Sequence, residues 1–220
     1  MSALDILLGK ARACTLCAPH LPHGPRPVLR ASTTARLLVV GQAPGRKVHD
    51  TGIPWNDPSG DRLRSWLGMD RDTFYDESRI AIIPTGLCFP GTGKQGDLPP
   101  RPECAPLWHP PLRAALPDIR LTLLIGQYAQ AYYLGPRAKK TLTETVAAWR
   151  EYLTVEETTG RPEFPRPPRG AEAVQRPPGG GPFLPLPHPS PRNQMWLKRN
   201  PWFERDLLPV LRQKVSEALA

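Results

Sequence analysis

The sequence predicts an α/β fold, a three-layer sandwich in which helices flank a central, mostly parallel sheet of four strands. Four short apolar runs have the length of buried strands, and segments of helical period lie between them. Strands that alternate with helices pair in parallel, because each crossover packs its helix back on the sheet. The chemically informative stretches follow the strands, where such sheets collect their working residues.

The first run, Arg36–Val40 (RLLVV), leads into a glycine-bounded turn, GQAPG, at Gly41–Gly45. Gly60–Leu67 then sets Leu63, Trp66 and Leu67 on one helix face. Arg79–Ile83 (RIAII) is the second strand and runs into PTGLCFPG. Leu121–Ile125 is the third, followed by helical segments at Ala129–Leu134 and Leu142–Leu153. A weaker fourth strand, Phe183–Leu186, precedes HPSPRN. Trp202–Leu219 closes the chain with Leu207, Leu208, Leu211 and Val215 at helical spacing. Pro209 suits a first turn, so regular helix is expected to begin only there. Residues 160–182, GRPEFPRPPRGAEAVQRPPGGGP, show no hydrophobic period. They are expected to form a flexible, extended insertion, without chemistry of its own, in a single domain spanning 1–220.

A chain of 220 residues with 40% hydrophobic content can bury one core. None of its apolar runs approaches the ~20 residues needed to cross a bilayer. The opening MSALDILLGKARAC lacks the long apolar segment of a secretion signal. A soluble, cytoplasmic, monomeric protein is therefore expected. Its 29 Lys and Arg against 20 Asp and Glu give a formal charge of +9, a field that attracts polyanions such as nucleic acid.

The four cysteines are Cys14, Cys17, Cys88 and Cys104. In an intracellular chain such a set more often binds metal than forms disulfides. Four thiolates suit a structural zinc or an iron–sulfur cluster. One close CxxC pair with two remote partners is closer to a [4Fe-4S] arrangement than to paired zinc knuckles. Near the other end, LPLPHPSPRNQMW (184–196) sets His188 between prolines that fix its backbone.

Taken together, GQAPG, TGIPWNDPSG (Thr51–Gly60), the triplet His188, Pro189 and Ser190, and the cysteine order resemble the uracil-DNA glycosylase superfamily. The closest likeness is to its iron–sulfur branch, families four and five, over nearly all of the chain except the proline-rich insertion. The resemblance implies a monofunctional, base-flipping hydrolase acting on uracil or another deaminated base in DNA. It implies a [4Fe-4S] cluster on Cys14, Cys17, Cys88 and Cys104. Trp55 would stack on the extruded base, with Gln42, Ala43 and Thr85 at its edge. His188 would donate to the pyrimidine O2, and Asp57 would be the catalytic carboxylate, with Asp50 and His49 as alternatives on the same loop. Ser190, Arg192 and Asn193 would bind phosphates, with Met195 or Trp196 near the vacated stack. Arg137, Lys139 and Lys140 make a second possible phosphate patch.

The sequence departs from the family pattern twice. Gln42 stands where family four has Glu; it cannot act as a base but could hold the water or the base edge. Pro84 and Thr85 stand where classical members carry an Asn that reads uracil. A non-catalytic binder of damaged or single-stranded DNA is the alternative from another class, and a zinc-stabilised nucleic-acid protein is a third.

Overall fold

The computed structural model describes residues 2–94, 96–154 and 182–220. The insertion expected over 160–182 lies, apart from Pro182, outside the described residues. Helix α1 (Ala3–Arg12) opens with a capping box, in which the Asp5 amide donates to Ser2 Oγ and the Ser2 amide to the Asp5 carboxylate. Its Leu4, Leu8 and Ala11 are buried on one face. Strand β1 (Leu37–Val40) follows, then helices α2 (Arg46–Thr51), α3 (Pro58–Leu67) and α4 (Arg71–Tyr75). Strand β2 (Ile80–Ile82) leads to a small hairpin of β3 (Thr92–Gly93) and β4 (Gly96–Asp97).

Helix α5 (Cys104–Ala114) contains Pro110 and Pro111 in its interior, while Pro106 stands in its first turn, where no amide hydrogen bond is lost. Strand β5 (Leu121–Ile125) precedes α6 (Gln127–Leu134), α7 (Leu142–Ala147) and α8 (Trp149–Leu153). The single helix expected over Leu142–Leu153 is thus two, parted at Ala148. Strand β6 (Phe183–Leu186), α9 (Gln194–Arg199) and α10 (Leu208–Leu219) complete the chain. A π-helical turn, Phe203–Leu207, precedes α10, and Pro209 falls in the first turn of α10, as its stereochemistry demands.

The four long strands form one sheet in the order β2-β1-β5-β6, and every pairing in it is parallel. Pro185, which has no amide hydrogen to donate, is tolerated because β6 is an edge strand. Alternation along the strands feeds two cores. Leu37, Val39, Ile80, Ile82, Leu123 and Leu184 face α3 and α10, whereas Leu38, Val40, Ala81, Ile83 and Leu124 face α1, α5 and α6. From β1 the chain passes to β2 on one side, while β5 lies on the other. That switch opens a crevice at the carboxyl ends of the strands.

Candidate active site

The loops that leave β1, β2 and β6 enclose a cavity of about 460 Å³ in this crevice. Its lining includes Gln42, Ala43, Trp55, Asp57, His188, Ser190, Arg192 and Asn193. Residues far apart in sequence are brought together because β1 and β6 flank β5 and end on the same side of the sheet.

The Trp55–Asp57 loop is held under strain. Trp55 has φ of 57°, the left-handed region that residues other than glycine rarely adopt. Several contacts over-determine it. Tyr75 Oη donates to the Pro54 carbonyl at 2.8 Å, and the buried Arg64 donates to the Trp55 carbonyl at 3.4 Å. Arg71 donates to Asn56 Oδ1 at 3.1 Å. Glycines make room for the indole: a Cβ on Gly41 would lie 2.8 Å from Trp55 Cζ2, and one on Gly60 only 1.7 Å from the Trp55 carbonyl oxygen. Trp55 thereby faces His188, their ring centroids 5.6 Å apart. Asp57 caps α3, its Oδ1 accepting the Gly60 amide at 2.8 Å.

His188 is fixed through its backbone, whose carbonyl accepts from Asn193 Nδ2 at 2.7 Å. Burial holds its imidazole below the ordinary histidine value, with the negative charge of Asp57 pulling the other way. A neutral ring at pH 7 has one N–H to donate. Ser190 Oγ accepts the Arg192 amide at 3.2 Å, and the Ser190 carbonyl accepts from Arg62 of α3 at 2.9 Å. The Asn193 amide is thus engaged within the loop, while Arg192 is exposed.

Other expected site residues lie elsewhere. Thr85 is buried beneath the first turn, where its hydroxyl donates to the Gln42 carbonyl at 2.6 Å and its amide to that of Gly41 at 2.9 Å. It props the turn rather than lining the cavity. Asp50 turns outward, both oxygens taken by Arg46 at 3.0 Å. His49 is buried against Phe89 and His23, with burial lowering its proton affinity. Neither residue is part of the cavity wall. Trp196 is tied to Thr143 and packed on Trp202 and Phe203, whereas Met195 is 57% exposed. Lys139 pairs with Glu151, and Arg137 lies over the Phe183 ring.

Two functional candidates had no signal in the sequence. Asp97, at the end of β4, joins Asp57 and Arg192 on the cavity wall. His109, fully enclosed in α5, bridges Tyr133 Oη at 2.7 Å and the Pro84 carbonyl at 3.0 Å. Burial drops its proton affinity to about 4, so it is neutral. Pro84 lines the cavity, and His109 therefore braces its floor.

On the far side of the Pro84–Cys88 segment, Cys14, Cys17, Cys88 and Cys104 ring a second, smaller pocket. All four are free thiols and half-buried. Burial, reinforced by the neighbouring thiols, pushes Cys88 up to about 11 and Cys104 to about 12. Arg101 Nε and Trp108 Nε1, on residues of the same pocket, are buried and meet no hydrogen-bond partner among the described residues. Two desolvated thiols, Cys88 and Cys104, with stranded donors beside them fit a group that carries positive metal charge and accepts hydrogen bonds. Among the described residues no three or more His, Cys, Asp or Glu side chains are grouped to hold a metal ion.

No helix among the described residues is long and apolar enough to cross a membrane. Comparison with known families matches residues 30–212 to the model described as the Uracil DNA glycosylase superfamily.

Proposed function

Because the chain belongs to the uracil DNA glycosylase superfamily, we propose that it flips a deaminated base, uracil in the first instance, out of DNA and hydrolyses its N-glycosidic bond. One observation carries the reading: an aromatic face, a carboxylate and a neutral imidazole (Trp55, Asp57 and His188) line a single cavity of about 460 Å³. Breaking the C1′–N bond leaves positive charge on the sugar and sends the electron pair away on the base. Catalysis then rests on fixed charges and donors at both ends. Trp55 offers a π-surface to the flipped base. The His188 N–H donates to the pyrimidine O2 as negative charge builds there. Asp57 stabilises the sugar cation while a water oxygen bonds to C1′. No lysine is among the described residues lining the cavity, which supports water rather than an amine as the nucleophile.

Arg192 and Ser190 stand at the rim to meet phosphates, and the net charge of +9 draws DNA to them. The exposed Met195 fills the gap left in the base stack. In the second pocket, Cys14, Cys17, Cys88 and Cys104 would hold a [4Fe-4S] cluster as thiolates, tying the N-terminal segment to α5.

Incubation with oligonucleotides bearing uracil, hypoxanthine or xanthine, followed by alkali, tests the proposal. Strand breaks at one of these bases support it. Tight preference for lesion DNA with no breaks would favour the non-catalytic binder, which Gln42, unable to take a proton, already makes the leading rival.

A further inference from the structure

The catalytic chemistry above needs a proton acceptor for the attacking water, and Asp57 is poorly placed to be that group. Its Oδ1 is committed to the Gly60 amide at 2.8 Å, which ties the carboxylate to the start of α3 as a fixed charge. A second carboxylate faces the same space. Asp97 lines the cavity from β4, opposite the Gly41–Gly45 turn, and its Oδ2 would lie 3.1 Å from a Cβ placed on Gly45. A side chain at position 45 would press on that carboxylate. Among the described residues no backbone amide caps Asp97. Its hydrogen bond comes from the Thr92 hydroxyl across the hairpin, at 3.4 Å, and β3 and β4 pair these two residues directly.

We propose that Asp97 is the general base that takes the proton of the attacking water, while Asp57 serves as the fixed negative charge beside the sugar. The inference rests on the glycosylase reading and assigns a role within it. As the C1′–N bond breaks, its electron pair leaves on the base, and the water oxygen forms the new C1′–O bond. One water proton passes to Asp97, which then gives it to the departed base or to solvent, so that the carboxylate is restored. The surroundings suit the task. Partial burial raises the proton affinity of Asp97, and the negative charge of Asp57 adds to the rise. The Thr92 hydroxyl and the Arg192 guanidinium pull it down. Two carboxylates of one cavity are thus driven toward different duties by their environments.

Each neighbour provides a separate handle on the same titration. Single-turnover excision from the uracil, hypoxanthine or xanthine oligonucleotide is measured against pH, with lesion-DNA affinity and thermal melting recorded alongside. In the wild type the rate should fall on the acidic side as Asp97 takes up a proton. Asp97→Asn should slow excision by about 10²-fold or more, abolish the acidic limb and leave affinity and melting unchanged. Thr92→Val removes a donor that favours the carboxylate, so the limb should move to higher pH. Asp57→Asn removes a like charge, so its residual activity should show the limb at lower pH. An Asp97→Asn enzyme that keeps the wild-type rate and acidic limb would overturn the assignment. So would limbs that stay in place in both Thr92→Val and Asp57→Asn. A wild type that excises none of the three bases would instead overturn the glycosylase reading itself, a result distinct from either.

Discussion

The open cavity and the cysteine pocket sit at opposite ends of one short segment, Pro84 to Cys88, and burial favours the uncharged form of the groups in both. At the cavity, partial burial keeps His188 neutral and able to donate, in an open space rimmed by Asp57, Asp97 and Arg192. At the cysteine pocket, burial resists the thiolate form of Cys88 and Cys104, and among the described residues no carboxylate or lysine lines the wall. The first region is built from strained, glycine-faced loops and is suited to exchanging a ligand. The second is a much smaller space lined by four thiols. The difference teaches that one physical term, desolvation, prepares both a reactive site and a structural one, according to what must neutralise it.

The largest effect expected from breaking this contrast is at the smaller pocket. If the proposed cluster is bound there, Cys104→Ser should cost more than about 3 kcal/mol of stability, above the usual range for one substitution, because such a group couples to the fold. Denaturant unfolding of anaerobically purified protein, with iron and acid-labile sulfide assayed, measures it. Stoichiometric zinc without iron would overturn the cluster assignment. At the open cavity, His188→Ala should lower single-turnover excision by about 10²–10³ with DNA affinity nearly intact. Equal loss of binding would make His188 part of the loop scaffold.

His109 connects the regions, since α5 starts at Cys104 and carries the imidazole that bonds Pro84. Its folded proton affinity is depressed from the ordinary 6.5 to about 4. The stability it contributes is therefore fully present above 6.5 and lost as pH falls toward 4, by about 3 kcal/mol. His109→Gln, which cannot titrate, should flatten that part of the stability curve. The smallest effect belongs to the rim. Arg192→Ala should weaken binding to all sequences and reduce the salt slope by about 1, as fluorescence anisotropy at several salt concentrations would record.

Much of this organisation was legible in the chain. The strands were readable because LLVV and LTLLI are buried on both faces and form unbroken apolar runs. Trp55, Asp57 and His188 were singled out through the family resemblance, and the structure brings them to one cavity. Other elements lacked a local signal. Helix α5 was masked by Pro106, Pro110 and Pro111, two of which it tolerates within its interior. The break at Ala148 leaves no mark, since alanine favours continuous helix. Thr85 was assigned to the base edge on position alone, and only the fold reveals its hydroxyl turned back onto Gln42. Asp97 was hidden because a two-stranded hairpin, not a strand of the main sheet, carries it to the cavity.

The central claim is that this cavity hydrolyses a base from DNA, and Asp57→Asn tests it most directly. Asparagine keeps the size of the side chain and an oxygen to cap Gly60, but removes the charge that a sugar cation needs. Single-turnover excision and lesion-DNA affinity are measured on the same preparation. The account predicts that excision falls by about 10²-fold or more while affinity is unchanged, because the charge acts in the transition state and hardly in the ground state. Full activity in Asp57→Asn would contradict it, as would a wild type that prefers lesion DNA yet releases no base.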